Sequence, residues 1–152
     1  MHFPIFSDEY FMKEALKEAE KAYDAEEVPV GAVIVMNKQV IARAHNSTQQ
    51  LNDVTAHAEM IAITSAANNL GAKYLHECTL YVTLEPCPMC ASALAWSQID
   101  RVVYGASDPK AGYKRFGEKL LHPGTSVTSG ILEHACVELM KTFFVERREM
   151  KN

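Results

Sequence analysis

Short apolar runs rich in β-branched residues alternate along this chain with longer segments of helical periodicity. The runs predict strands at residues 28–35, 39–44, 79–84, 101–105 and 126–129. The longer segments predict a first helix that Ser7 or Asp8 caps, a second helix at residues 55–69 that ends at Gly71, and further helices at residues 86–96 and 131–148. The residues predicted to share one face of the last helix are Leu132, Ala135, Leu139 and Phe143. Strands that alternate with helices form a sheet covered on both faces, so we predict an α/β fold with three α/β/α layers.

The spacing of these elements also predicts their connections. Residues 37–38 are short enough for a hairpin turn between the first two strands. Residues 106–125 are long enough for a crossover with a short helical piece at 116–121, so the last strand is expected to be parallel. Because we find no repeat, linker or low-complexity stretch, residues 1–152 are expected to form one domain.

Composition excludes several classes of protein. A chain of 152 residues that is 48% hydrophobic and 22% charged can bury one compact core. Its longest apolar runs stop well short of the ~20 residues that cross a bilayer, and its start lacks a basic segment followed by an apolar one. We therefore expect a cytoplasmic protein that is not in a membrane.

The net charge of −4 argues against broad affinity for nucleic acid, because that affinity comes mainly from neutralised phosphates. Basic residues nevertheless gather in two places, where an ordinary solvated face is as good an interpretation as an RNA contact. They are Lys110, Lys114, Arg115 and Lys119, and, towards the end of the chain, Lys141, Arg147, Arg148 and Lys151.

The chain has four cysteines, and two of them form a Cys-x-x-Cys pair. Without a secretory signal, such a pair is typical of a metal site or a redox site more than of a structural disulfide. Cys87 and Cys90 form the pair, whereas Cys78 and Cys136 lie among strand-like and helix-like residues. We expect those two to be small buried apolar residues.

His57 joins Cys87 and Cys90 as the third ligand of a predicted zinc site. Catalytic zinc typically uses three His or Cys ligands and leaves the fourth position to water, whereas structural zinc closes all four positions. Both ligand groups fall at predicted helix starts, where backbone N–H groups favour thiolates and developing oxyanions.

Glu59 lies two residues beyond His57 and is the predicted general acid/base. It would take a proton from the activated water, pass it to a ring nitrogen and then protonate the departing amine. His-x-Glu followed by Pro-Cys-x-x-Cys is the signature of zinc-dependent nucleobase deaminases, and residues 57–59 and 86–90 match it.

Two other interpretations of the cysteine pair stay open at this point. A structural zinc site needs a fourth ligand, which Cys78, Cys136 or His45 could supply if the fold brought it near. A thioredoxin-like redox pair would need a different topology and leaves the His-Ala-Glu motif unexplained.

Seven segments spread along nearly the whole chain resemble the bacterial tRNA-specific adenosine deaminases: residues 28–33, 45–46, 55–59, 80–87, 89–90, 101–106 and 122–124. The resemblance implies a cytidine-deaminase-like fold with a central mixed sheet of about five strands, a homodimer, and one Zn²⁺ per subunit. It also implies a tRNA anticodon stem-loop as partner, with the wobble adenosine of an arginine tRNA converted to inosine.

The resemblance further implies substrate contacts by three residues. Asn46 would contact the purine, the backbone N–H of Ala58 would help to fix it, and Asp108 would touch the RNA. An amide that both donates and accepts suits the edge of a heterocycle. Asn46 and Asp108 are equally explained as ordinary loop and turn residues. Gly31 is explained by a close approach of its backbone to the substrate or to a helix, or by a bulge in the strand.

Two departures from the family pattern bear more on the substrate than on the reaction. Val54 stands where the family often has proline, and the bulky residues 113–116 stand where it often has small ones. The alternative function is therefore a deaminase of a free nucleobase or nucleoside, of the guanine or cytosine type. A third is a zinc-stabilised interaction module without catalysis.

Met89 and Trp96 are expected in the core.

Overall fold

The computed structural model describes residues 3–151, and the side chain of Lys151 lies outside the described part. The first helix, α1, spans Asp8–Asp24. Ser7 is its N-cap, since the Ser7 hydroxyl accepts a hydrogen bond from the backbone N–H of Tyr10 at 3.1 Å. Of the two predicted caps, the structure selects Ser7.

The predicted hairpin is present, with β1 at Gly31–Met36 and β2 at Gln39–His45. Asn37 and Lys38 both have positive φ, 53° and 63°, which is the geometry of a tight hairpin turn. The expected start of β1 at residue 28 was wrong. The N–H of Val30 bonds the carbonyl of Val28 across Pro29, so this segment turns before it can join the sheet.

The second and third helices begin two to three residues later than predicted. The helix α2 spans Ala58–Leu70 and α3 spans Pro88–Ser97, with the strand β3, Cys78–Leu84, between them. His57 and Cys87 are N-caps in extended conformation, so His57 precedes the first turn of α2 instead of lying in it. At its other end α2 stops as predicted at Gly71, which is left-handed with φ 65°.

The remaining elements complete a mixed sheet of five strands. β4 spans Arg101–Ala106 and β5 spans Ser126–Ser129, and the sheet order is β2-β1-β3-β4-β5. β1 is antiparallel to both neighbours, whereas β3, β4 and β5 are parallel, which confirms the predicted last strand. The crossover contains two short 3-10 turns, Tyr113–Arg115 and Glu118–Leu120.

Two hydrophobic clusters lie on opposite faces of the sheet and confirm the three layers. Alternate β1 residues separate them: Ala32 and Ile34 pack with α2 and α3, whereas Val33 and Val35 pack with α1 and with the last helix, α4, at Glu133–Lys151. Cys78 and Cys136 are buried, one in each cluster, as expected. No helix among the described residues is long and apolar enough to span a bilayer.

Gly31 is explained by a close approach to a helix. A Cβ atom on Gly31 would lie 2.1 Å from the carbonyl oxygen of Ala15 and 2.3 Å from the backbone nitrogen of Ala19. The backbone of β1 therefore lies directly against that of α1, and no side chain fits between them.

The buried face of α4 differs from the predicted one. Cys136, Met140 and Phe143 face the core, whereas Ala135 is exposed. Leu132 precedes the helix in a left-handed conformation, which resets the helical register. In α3 the expectation for Trp96 was also wrong: Trp96 is 83% exposed because Cys90, Ala91 and Leu94 occupy the face that meets the core. Met89 is only partly buried.

Candidate active site

The strand directions explain why the two helix starts meet. β2 and β3 are both antiparallel to β1, so they run in the same direction and end at the same edge of the sheet. The chain leaves β2 through a loop into α2, and leaves β3 through a short turn into α3. The N-caps of these helices are His57 and Cys87, which the topology therefore places side by side.

The predicted ligands converge on one point. The Nδ1 atom of His57 lies 3.6 Å from the Sγ atom of Cys87 and 3.5 Å from the Sγ atom of Cys90. All three donor atoms lie within 4.8 Å of one another. Among the described residues, Cys78, Cys136 and His45 do not join this cluster, so none supplies the fourth ligand that a structural zinc site requires.

The separations fit zinc. Tetrahedral coordination with Zn–S bonds of about 2.3 Å and Zn–N bonds of about 2.0 Å implies an S···N distance of about 3.5 Å. The two observed distances agree with that value, and one imidazole with two thiols is a donor set typical of catalytic zinc. The residues present are therefore suited to Zn²⁺ with a fourth position left for water.

Protonation of the thiols follows from their mutual hydrogen bonds. Donation from Cys90, and secondarily from His57, lowers the pKa of Cys87 to about 4. The same hydrogen bond to Cys87 raises the pKa of Cys90, because Cys90 keeps the shared proton, and burial acts in the same direction. Since a bound cation takes cysteine as thiolate, metal binding would release that proton.

Glu59 lies beside this cluster but is not part of it. It is the second residue of α2, its side chain is 3% exposed, and its carboxylate is not among the grouped donor atoms. Burial raises the pKa of Glu59 to about 7. A carboxyl group with a pKa near the working pH can both take and give a proton.

Ala58 directly follows His57, and Asn46 lies in a loop that contacts the segment before His57. Ala58 is the first residue of α2, where backbone N–H groups have no acceptor within the helix. Asn46 follows β2 and is 7% exposed, and its N–H donates to the carbonyl of Val30. The next residue, Ser47, donates its N–H to the carbonyl of Ala56, so the loop after β2 lies against the segment that leads to His57.

A buried carboxylate that the sequence analysis missed holds this loop. Glu27 is 1% exposed, and its two oxygens accept hydrogen bonds from the N–H groups of Gln49 and Gln50 at 3.2 and 2.8 Å and from the hydroxyl of Thr48. The sequence signal was weak, because Glu27 stands beside Glu26 and resembles one more exposed acid in a charged segment.

Asp108 has a definite structural task. One carboxylate oxygen accepts from the N–H groups of Lys110 and Ala111 at 3.1 and 3.0 Å, which is the hydrogen bonding of an Asx turn. Asp108 also lines a groove of about 1490 Å³ between α4 and the loops that follow β2 and β4. Gln49 and Leu84 contribute to this groove, together with residues of α4 that include Lys141, Phe144 and Arg148.

The basic residues divide into engaged and exposed ones. The guanidinium of Arg147 donates to the carbonyl of Glu26 and lies 5.0 Å from the ring centre of Phe143. Arg148 and Lys141 line the groove and are exposed. In the unusual segment at 113–116, Tyr113 is buried in the core, so only its neighbours Lys114, Arg115 and Phe116 face solvent.

Residues 6–106 match the family model of the cytidine and deoxycytidylate deaminase zinc-binding region. Over 149 residues the chain is 47% identical to the tRNA-specific adenosine deaminase of Bacillus subtilis strain 168, covering 95% of this chain and 92% of that one. This chain belongs to the tRNA-specific adenosine deaminase family. It is therefore a zinc-dependent deaminase that hydrolyses a C–N bond.

Two solved structures show which known fold this member of the tRNA-specific adenosine deaminase family has. A structure from a study of A-to-I editing by tRNA:A34 deaminases at the wobble position has a TM-score of 0.80 and 46% identity, covering 86% of this chain and 98% of that one. The predicted cytidine-deaminase-like fold is thereby confirmed. Guanine deaminase from Bacillus subtilis is similar with a TM-score of 0.65 and 39% identity, over 73% of this chain and 70% of that one.

Proposed function

We propose that this protein hydrolytically deaminates adenosine to inosine at the wobble position of a tRNA anticodon loop. The observation that carries the proposal is the cluster of His57, Cys87 and Cys90 with the buried, non-ligating carboxyl of Glu59 beside it, in a chain of this family. Three soft or borderline donors with a proton carrier alongside are the parts that hydrolysis of an amidine requires.

Zn²⁺ held by the three donors would supply an activated water at neutral pH. The carboxylate of Glu59 would accept a proton from that water and deliver it to the purine nitrogen next to the carbon under attack. The same carboxylate would then take a second proton from the hydroxyl group added to that carbon and give it to the amine as the C–N bond breaks. The amide of Asn46 would orient the purine edge, and the backbone N–H of Ala58 would help to fix the purine.

The groove along α4 has the features of a site for unpaired nucleotides. Phe144 is an exposed aromatic residue on its wall, and Lys141 and Arg148 are exposed cations near it. Bases stack on aromatic side chains while cations follow the phosphates, and this holds single-stranded RNA without reading its sequence. Asp108, which also lines the groove, is proposed to contact the RNA through the turn it organises.

A free nucleobase is the second candidate substrate. The similarity to a guanine deaminase at 39% identity favours it, and so does the net charge of −4. Both candidates use the same metal cluster and the same proton carrier, so the chemistry does not separate them.

We further propose a homodimer whose subunits meet at the face around Trp96. This side chain is 83% exposed, and it lies in a depression of about 700 Å³ with Tyr74, Leu120 and Pro123. A second copy of the chain would remove this apolar surface from water. Light scattering should give twice the monomer mass for the wild type and the monomer mass for Trp96→Asp; a monomeric wild type would contradict the dimer.

A tRNA substrate also implies that the enzyme works in the cytoplasm.

The function is tested by supplying the zinc-loaded protein with an anticodon stem-loop that carries adenosine at the wobble position. Free guanine, cytosine and adenosine are supplied in parallel, and deaminated products are measured by mass. We expect inosine in the stem-loop alone. Product from a free base with the stem-loop unchanged would favour the second candidate, and no product from any substrate would favour a zinc-stabilised interaction module.

A further inference from the structure

We propose that Glu85 is a positioning residue for the loop formed by residues 108–117, called the 108–117 loop below. Its carboxylate would hold this loop in the position that RNA binding requires. The inference rests on the proposed function, because it concerns how the same site grips its substrate. It assigns a role to a residue that is not among the grouped metal donors and that has no part in the proposed proton transfer.

The carboxylate of Glu85 ties together two points of the loop. Its Oε1 atom accepts a hydrogen bond from the N–H of Asp108 at 3.1 Å, and its Oε2 atom accepts one from the N–H of Lys114 at 3.1 Å. The residue is 5% exposed. Breaking these bonds would leave a buried charge or a buried N–H group without a partner, which is costly.

The same residue belongs to the turn that carries a metal donor. The N–H of Glu85 donates to the carbonyl of Ala106 at 2.8 Å, and the carbonyl of Pro86 accepts from the N–H of Tyr113 at 2.9 Å. Cys87 follows directly. The 108–117 loop is therefore fastened to the short segment between the end of β3 and the predicted zinc ligand.

Gly112 shows that the loop is folded around this carboxylate. A Cβ atom on Gly112 would lie 2.1 Å from Oε2 of Glu85 and 2.6 Å from the carbonyl oxygen of Asp108. The N–H of Gly112 donates to that same carbonyl at 2.8 Å. The backbone of the loop thus lies directly against the carboxylate of Glu85, with no room for a side chain at Gly112.

The loop carries exposed cations whose positions follow from its backbone. The ammonium group of Lys114 lies 5.5 Å from the ring centre of Tyr104, and the guanidinium of Arg115 donates to the carbonyl of Lys110 at 2.7 Å. Electrostatic binding of a phosphate backbone depends on where such charges stand. Glu85 would therefore act on RNA through Lys114 and its neighbours.

The first test is Glu85→Gln. An amide presents one oxygen and one NH₂ group, so it can accept from only one of the two backbone N–H groups and must turn a donor towards the other. We expect KM for the anticodon stem-loop to rise about fivefold to tenfold, with kcat within about twofold and one zinc per chain retained. The slope of log KM against log salt concentration should also become shallower. Glu118→Gln, an exposed acid of the same loop region, is the matched control and should change none of these.

A double-mutant cycle separates positioning from a general effect on the fold. The effects of Glu85→Gln and Lys114→Gln on log KM should be less than additive. The second change removes the Lys114 charge that the first change displaces. Glu85→Gln and Arg148→Gln should be additive, since Arg148 lies on α4. Gly112→Ala is a second way to displace the loop and should reproduce the Glu85→Gln phenotype.

Additivity in both cycles would overturn the proposal. So would a Glu85→Gln variant whose zinc content, melting temperature and kcat fall together, since that pattern marks a residue needed only for the fold. These outcomes differ from failure of the proposed function, in which the wild type itself leaves the stem-loop unchanged.

Discussion

The Nδ1 atom of His57 lies 3.5 Å from the Sγ atom of Cys90, although thirty-three positions separate them in the chain. The contact exists because β2 and β3 end at the same edge of the sheet and each leads into a helix there. A metal at this point would join the starts of α2 and α3, so the metal and the local fold should depend on each other.

The zinc content of ligand variants tests the donor set. His57→Ala removes one of three donors, and we expect the purified protein to lose its stoichiometric zinc and to melt at a lower temperature. Cys136→Ala is the matched control, because that thiol is buried in the cluster on the other face of the sheet and should leave zinc at one per chain. A His57→Ala protein that still held one zinc would show the donor set to be wrong.

Glu59→Gln tests the proton carrier. The amide keeps the shape of the buried side chain but cannot accept and return a proton, so we expect kcat to fall by about 10²–10⁴-fold. Zinc content, measured by atomic absorption, should stay at one per chain, because Glu59 is not among the donor atoms. Turnover equal to that of the wild type would refute the assigned role.

Arg147 and Arg148 are neighbours that should behave differently. Arg148→Gln removes an exposed cation of the groove, and we expect a higher KM for the stem-loop and a salt slope smaller by about 0.7–0.9. Arg147→Gln removes the bond to the carbonyl of Glu26, so it should lower the melting temperature instead. If Arg148→Gln bound RNA with an unchanged salt slope, the placement of RNA along α4 would be wrong.

Gly31→Ala tests the contact between α1 and the sheet. The added Cβ would meet backbone atoms of Ala15 and Ala19, which cannot move without shifting the helix, so we expect a loss of about 3 kcal/mol in the free energy of unfolding. Gly71→Ala is the control: its Cβ would meet nothing within 4 Å, and only its positive φ should cost about 1 kcal/mol. Equal losses measured by urea unfolding would contradict this view of Gly31.

Asp8 should make the stability of the fold depend on pH in the acidic range. Two hydrogen bonds from Arg101, each 2.7 Å long, lower the pKa of Asp8 below its ordinary value near 3.8, even though partial burial opposes this. The unfolded chain then binds a proton at Asp8 more readily than the folded chain does. The stabilisation by the Asp8–Arg101 pair is therefore fully present above pH 3.8 and is lost as the pH falls through the lowered pKa of Asp8. Asp8→Asn should therefore lower the melting temperature at pH 7 and progressively less between about pH 4 and pH 2.

The matched control for this pH series is Glu20→Gln, an exposed acid on the same helix. It should leave the melting temperature nearly unchanged at every pH, since exposed charges contribute little. A gap between Asp8→Asn and the wild type that stayed constant down to pH 2 would show that the Asp8–Arg101 pair does not act through its charge.

Elements with strong local signals were predictable from the sequence. The five strands, the cap at Ser7 and the stop at Gly71 depend on residues next to one another in the chain. The candidate ligands were predictable for the same reason, since Cys-x-x-Cys and His-x-Glu combine residue types with a fixed local spacing. The errors at Val28 and at the starts of α2 and α3 are boundary errors, where one hydrogen bond or one extended residue decides.

What depends on the three-dimensional packing was not visible in the sequence. Trp96 was expected in the core, but the face of α3 that meets the sheet is chosen by Cys90, Ala91 and Leu94 together with the sheet itself. Glu27 and Glu85 are ordinary acids in the sequence, and their roles arise because loops from distant parts of the chain present N–H groups to them.

The sequence by itself thus determined the chemistry that this chain offers, because donor types, helix starts and strand periodicity are local properties. Only the tertiary structure decided which of those groups meet. Strand direction brings His57 to the two cysteines, burial brings the pKa of Glu59 to about 7, and two buried carboxylates hold two loops that line the groove. Each of these results from contacts between residues far apart in the chain, which no local pattern records.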